Sequence, residues 1–182
     1  ISKKLTMKKI LFITLIFSNL IFSQNIDFEG FMNFSYSNNS GKIHLEINNL
    51  DKEFLYINSL SRGIGNNDLG LDRGQLGNTR IVFFTKRGNK ILMVQPNTRY
   101  VSNSDNYLEN KAVEEAFARS VLFSFEIIEE KNNNYIIDLT PLLMNDAHGD
   151  AQRLRFSNSG NYSLNKSMSA IELDRTKAFP EN

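Results

Sequence analysis

Residues 79–95 read TRIVFFTKR-GN-KILMVQ, two apolar runs joined by Gly88-Asn89. A two-residue Gly-containing link between β-branched and aromatic runs is the signature of a tight β-hairpin. Pro96-Asn97 ends the second arm, because proline cannot continue a strand ladder. The pattern spreads outward on both sides. Lys42 to Asn48 alternates, with Ile43, Leu45 and Ile47 inward and His44 and Glu46 outward. Phe28 to Tyr36 is expected to be a first strand and Glu53 to Ser59 a third. Turns at 38–41 and 48–51 separate them, and the spacing predicts an antiparallel meander. Beyond the central hairpin, Val121 to Glu129, a turn at Lys131-Asn132-Asn133-Asn134, and Tyr135 to Leu139 predict a second hairpin. Arg99 to Val101 and Ala170 to Leu173 are expected to add short strands. The Phe83-Phe84 run belongs to the core.

Helical spacing is clear in one place. Ala112, Val113, Ala116 and Phe117 form an apolar stripe within Glu109–Ser120, with Glu115 and Arg119 as an i,i+4 pair. Thr140-Pro141 predicts a short helix to about Asp146, with Thr as N-cap and Pro at its first position. From Ala147 onward periodicity weakens. The fold class is therefore α+β, mainly antiparallel β hairpins and meander, with one amphipathic helix near 109–120.

The N-terminus reads as a targeting signal. Lys8 and Lys9 precede an apolar run from Ile10 to Phe22, and Ser23 suits a cleavage site. Residues 7–23 are expected to be a signal peptide and 1–6 upstream translated sequence. Residues 24–182 are expected to form one β-rich domain, truncated at its C-terminus. The first 23 residues hold four Lys. Taking these from the 21 basic residues leaves 17 against 20 acidic ones, a net charge of −3. No basic stripe remains for nucleic acid. The run is short for a membrane span, so an exported chain with no stable span is expected (periplasmic, outer-surface or secreted). The absence of Cys excludes thiol catalysis, cysteine zinc sites and disulfides.

Candidate chemistry is sparse. Ser61 to Gln75, SRGIGNNDLGLDRGQ, holds four Gly, two Asn, two Asp and two Arg. Gly63, Gly65 and Gly70 have the wrong spacing for a dinucleotide loop, and no helix follows to receive a phosphate. Asn66, Asp68 and Asp72 supply oxygens but miss the EF-hand spacing. A turn-stabilised loop with an Asp–Arg pair is expected, serving as a structural or interdomain contact surface. His44 has no metal-spaced partner. Asp146, His148 and Asp150 stand at spacing two, compatible with a shared metal but equally with a polar turn. With no HExxH or GxSxG motif, no catalytic, cofactor-binding or metal residue is assigned.

Several segments together carry a family resemblance. Asn66 to Gln75 is one. Val82-Phe83-Phe84 with Arg87-Gly88 and Ile91 to Asn97 is another. Ala112-Val113 with Phe117-Ala118 and Ser120 to Leu122, Ile137 to Thr140, Asp146 to Gly149, and Arg175 to Asn182 follow in order. This set resembles a family of large secreted bacterial zinc-dependent metalloproteases of the metzincin-like group. Met144-Asn145 and Met168 depart from its pattern. The resemblance implies a non-catalytic N-terminal accessory domain that packs on, or covers, a downstream catalytic domain. Zinc is expected in that domain and no cofactor in this chain. Two other functions fit the residues. One is an exported β-domain binding glycan or peptide at the cell surface, against which the inward parity of most aromatics counts. The other is a half-barrel lipid or lipoprotein carrier, which needs a wide apolar concavity.

Overall fold

The computed structural model describes residues 25–65 and 67–181. The expected signal peptide and the residues before it lie outside them. Eight strands form one antiparallel sheet: β1 (Asn25–Phe28), β2 (Phe34–Ser37), β3 (Lys42–Ile47), β4 (Phe54–Ser59), β5 (Leu76–Arg87), β6 (Lys90–Gln95), β7 (Ser120–Lys131) and β8 (Asn134–Asp138). Their spatial order is β1-β2-β3-β8-β7-β6-β5-β4. Among the described residues, three short α-helices accompany the sheet: α1 (Tyr107–Ala116), α2 (Thr140–Leu143) and α3 (Asp150–Phe156). The architecture is β-dominated α+β, as expected, and the sheet is curved into a half-barrel.

Both hairpins form as their turn residues dictate. Arg87 pairs with Lys90 across Gly88-Asn89, and Gly88 takes φ +59. Positive φ at the first central residue fits a type II′ turn, where Gly carries no Cβ penalty. Lys131 pairs with Asn134 across Asn132 and Asn133, at φ +51 and +64. Two positive φ values make this a type I′ turn, and Asn tolerates that region better than most residues.

The meander is corrected. Phe28–Tyr36 is two strands, not one. β1 folds back on β2 with Phe28 opposite Phe34, their rings stacked 4.5 Å apart. The bend at 29–33 is held by Asn33, whose Oδ1 accepts from the Gly30 N–H. It is also held from the far end of the chain, because the Phe31 N–H donates to the Phe179 carbonyl at 2.6 Å. A Cβ on residue 30 would stand 2.5 Å from that carbonyl oxygen, so only Gly fits there. β3 and β4 are not neighbours either. β3 pairs with β8, while β4 pairs with β5 at the opposite edge. Turn spacing predicts that strands are consecutive in sequence, but β8 offers β3 a better partner. Leu45 faces Ile137 and Ile47 faces Tyr135, all four buried.

The concave face carries the core. Leu45, Ile47, Val82, Phe84, Ile91, Met93, Phe125, Tyr135 and Ile137 form one buried cluster. Rings meet across the curvature: Phe54 lies 5.2 Å from Phe84, and Phe84 lies 6.3 Å from Phe125 in edge-on geometry. The Lys86 ammonium reaches from β5 over the Tyr135 ring of β8, 5.0 Å from its centroid. Only a curled sheet brings strands three places apart into such contact. Side chains fill the centre of the concavity, leaving about 30 Å³ near Phe31, Met32, Ile47 and Phe84, and an apolar groove of about 360 Å³ opens beside it, lined by Leu45, Phe54, Leu143 and Phe179 among others.

The helices differ from expectation. α1 begins at Tyr107 and ends at Ala116, with Asn106 as N-cap accepting from the Leu108 N–H. It is not the buried packing element expected. Ala112, Ala116 and Phe117 are exposed, and Val113 alone in the stripe is half-buried. Arg119 pairs with Glu114 at 2.6 Å instead of Glu115, which pairs with Lys111. Arg119 also lies over the Phe83 ring, so this excursion shields the outer face of β5. Tyr100 stacks on Phe117 at 4.1 Å from an irregular segment, so the strand expected at 99–101 is absent. α2 ends at Leu143, short of Asp146, and its N-cap is Leu139, not Thr140. The Thr140 hydroxyl instead accepts from the Ile43 N–H at 2.9 Å, tying α2 to β3. The strand expected at 170–173 is irregular chain leading into a 3₁₀ turn at Leu173–Arg175.

A buried ladder residue on β8 should therefore dominate stability. Ile137 is fully buried and packs between β3 and β7, whereas Ile128 is 54% exposed. Ile137→Ala is expected to cost about 2–5 kcal/mol, and Ile128→Ala about 0.5 kcal/mol or less. Urea unfolding followed by circular dichroism measures both. Equal costs would contradict this core.

Candidate functional site

The sequence candidates separate into three places. His44 sits on the outward parity of β3, between buried Ile43 and Leu45, opposite Asp138 and Ser35. It is a half-buried strand residue on the convex face. Among the described residues, no group of three His, Cys, Asp or Glu side chains converges as a metal site.

The glycine-rich loop is a brace. Asn66 lies outside the described residues. A 3₁₀ turn spans Asn67–Leu69, and the loop closes on itself through Ile64 N–H to Leu71 O and Leu60 N–H to Gln75 O. Leu71 is completely buried and anchors the loop. Arg62 reaches Glu172, 2.8 Å away in the C-terminal segment. The guanidinium of Arg153 donates to the Gly70 carbonyl. The loop thus ties the β4–β5 connection to α3 and the chain beyond it.

The third place is the Asp146-Ala147-His148-Gly149-Asp150 run, which here opens α3. Gly149 is the formal N-cap at φ +77 and has no side chain to cap with. Asp146 supplies the capping instead. Its two carboxylate oxygens accept from the N–H groups of Asp150 and Ala151, at 2.9 and 3.0 Å. Asn58 on β4 holds the run in place. Its amide donates to the Ala147 carbonyl at 3.1 Å and lies 3.2 Å from His148 Nδ1. Since that amide nitrogen is a donor, Nδ1 accepts, and the neutral imidazole carries its proton on Nε2. The Asn58 side chain lies over Gly77 of β5, where any Cβ would collide with it.

Among the described residues, two buried side-chain atoms stand without a hydrogen-bond partner: His148 Nε2 and Asp150 Oδ1. Both belong to this run. Burial raises the Asp150 carboxyl above the usual range, and neighbouring Asp146 adds to that. His148 and Arg153 act in the opposite sense without reversing it. Both residues line a groove of about 520 Å³ between β4 residues 56–60, the end of α2 and α3, and the chain at 162–164. Its walls are mostly apolar, with Leu60, Leu142 and Leu154 among them. Sequence spacing singled out His148 and its two aspartates but not Asn58, 90 residues away, which fixes the imidazole. A polar residue on the inward parity of an otherwise apolar strand was the available signal.

A family model described as a domain of unknown function, DUF5117, matches residues 74–182. This chain belongs to that family. The match runs from the end of the glycine loop through β5–β8 and the three helices to the C-terminal segment, and takes in the whole His148 run. Searches of curated proteins and of solved structures each returned no match. Among the described residues no helix is long and apolar enough to cross a membrane.

The raised Asp150 carboxyl has a consequence for stability. The folded state binds this proton more readily than the unfolded state does. Stability from this group therefore falls as pH rises through the window above the ordinary carboxylate range. Asp150→Asn is expected to raise the urea midpoint at pH 7 and to leave it unchanged at pH 3. A lower midpoint for the variant at pH 7 would show that the carboxylate is satisfied when folded.

Proposed function

We propose that this chain is a non-catalytic accessory domain of an exported zinc metallopeptidase, packing on or covering a catalytic domain encoded downstream. The observation that carries this reading is the exposed apolar surface on the C-terminal segment. Phe156 is 76% exposed, Met168 85% and Phe179 69%. They lie on α3, on a 3₁₀ turn at Lys166–Met168 and on the chain beyond it, tied to the glycine loop by Arg62 and Glu172. Several large apolar side chains left in water along one segment support a partner body lying over that segment. The ordered resemblances from Asn66 to Asn182 suggest the kind of body. Zinc and catalysis belong, in this reading, to the partner domain. The glycine loop braces the segment against the sheet and so presents its outer surface.

The carrier reading needs a wide apolar concavity; Phe84, Phe125, Met93 and their neighbours fill the centre of the concave face, so that reading is left with the apolar groove of about 360 Å³ beside Leu45 and Phe54.

The coding sequence downstream of Asn182 is the first test. An open frame containing HExxH is expected, and an immediate stop codon would sink the proposal. With the full-length protein in hand, hydrogen exchange should show residues 156–179 protected relative to this chain alone. Asp substitutions at Phe156 and Met168 should weaken association of the two separately expressed parts by about tenfold or more. Unchanged association and unprotected amides would argue that this surface faces water in the whole protein.

A further inference from the structure

We infer that the apolar groove beside the half-barrel core binds a single-chain amphiphile with a zwitterionic head, of the lysophosphatidylethanolamine type. Its acyl chain lies along the groove. Its head sits at the rim, phosphate toward Lys177 and ammonium toward Glu181.

The groove is a product of the fold. Phe34 of β2, Leu45 of β3, Phe54 of β4 and Leu143 of α2 all line it, and residues 176–179 supply a further wall. That wall is positioned by the Phe31 N–H, which donates to the Phe179 carbonyl, and by Gly30, where a Cβ would stand 2.9 Å from the Ala178 methyl. Walls set by the fold itself need little ordering on binding, which favours a ligand. The volume of about 360 Å³ lies in the lower part of the range of ligand clefts and suits one chain, not two.

The lining selects a hydrocarbon. Apart from Thr176, Lys177 and Glu181, every lining side chain is apolar. The Thr176 hydroxyl already donates to the Glu172 carbonyl at 3.0 Å. A peptide laid there would find few side-chain partners for its amides, and unpaired amides out of water are unfavourable. An acyl chain carries no such groups and gains by leaving water. Charge selects the head. Lys177 and Glu181 are both exposed and so mark the rim. Among the described residues neither takes part in an ion pair. One cation and one anion, each without a partner, match a head that bears one charge of each sign. A fatty-acid carboxylate would answer Lys177 and be repelled by Glu181, and an alkylammonium the reverse. Of the accessory-domain surface at Phe156, Met168 and Phe179, only Phe179 lines this groove, so the two proposals stand or fall separately.

The test titrates the chain with octanoyl, decanoyl, dodecanoyl and tetradecanoyl lysophosphatidylethanolamine below their micelle concentrations. Binding is followed by chemical-shift changes in labelled protein and by calorimetry. Resonances of residues 31–34, 139–143 and 176–181 are expected to shift. Affinity should rise about tenfold for each two carbons until the groove is full and then level off. Adsorption elsewhere on the chain would climb without levelling. Leu143→Asp, at a position 45% exposed, should weaken binding about tenfold or more while the circular dichroism stays unchanged. Lys177→Ala should weaken the decanoyl lysolipid and decanoate by about threefold and leave decylammonium no weaker. Glu181→Ala should weaken the decanoyl lysolipid and decylammonium by about threefold and leave decanoate no weaker. The chain-length series on the unmodified protein decides the groove even if Leu143→Asp misfolds. No saturable shift, an affinity that never levels, or binding untouched by a folded Leu143→Asp overturns the proposal. Decyl maltoside binding as tightly as the decanoyl lysolipid overturns the zwitterionic head.

Discussion

A short link governs this fold. Residues 48–53 join β3 to β4, which stand third and eighth in the sheet. In a flat sheet, five strand spacings would separate them by roughly 24 Å. The seven steps from Ile47 to Phe54 reach about that far only if fully extended. They are not extended. Asp51 takes φ +57, and its N–H donates to the Phe84 carbonyl at 2.7 Å. The sheet must therefore curl until β4 comes round toward β3. Phe31 and Phe54 then meet across the remaining gap, 6.4 Å apart. The two sides join there through side chains and not through a ladder. The half-barrel follows from chain connectivity as much as from intrinsic strand twist.

Curling decides where everything else can sit. It packs inward residues of distant strands into one cluster and fills the concavity with aromatics. It also leaves β4 as an edge near the end of α2, and the rest of the chain is arranged around that edge. The His148 run reaches β4 through Asn58, and the glycine loop reaches α3 through Gly70 and Arg153. Lys42 and Asp138 pin the other side, 2.8 Å apart. Burial alone would raise the Asp138 carboxyl. The Lys42 ammonium and the hydroxyl and N–H of Thr140 outweigh it and hold the group below the usual range.

Local chemistry made much of this legible, and non-local pairing did not. Gly88-Asn89 and Asn132-Asn133 each demand a two-residue turn, so both hairpins could be read from sequence. The alternation of Ile43, Leu45 and Ile47 fixed the inward face of β3. Nothing in 42–48 shows that its partner is β8, because register and partner are set by side chains 90 residues away. The bend at Gly30 was hidden for a similar reason: the carbonyl that requires glycine there belongs to Phe179. The stripe at 112–117 has the right period for a helix, but period does not reveal depth. That helix lies on the outer face with one half-buried residue. Asp146, His148 and Asp150 showed as a spacing. Their roles as cap, oriented imidazole and unpaired acid depend on Asn58 and on the start of α3.

The family match begins at residue 74, yet the folding unit does not. Strands β5 to β8 alone would expose the ladder edge of β5 that β4 covers and the edge of β8 that β3 covers. They would also lose Leu45 and Ile47 from the central cluster and uncover Ile137, which is wholly buried against them. Two open edges beside an aromatic core are poor prospects for an independent domain. The matched region therefore needs β3 and β4, or strands that take their place, on its two flanks. It also carries the His148 run, while Asn58, which orients that run, lies on β4. The groove is thus built from both sides of the match boundary, and its chemistry depends on which strand stands at the β4 edge.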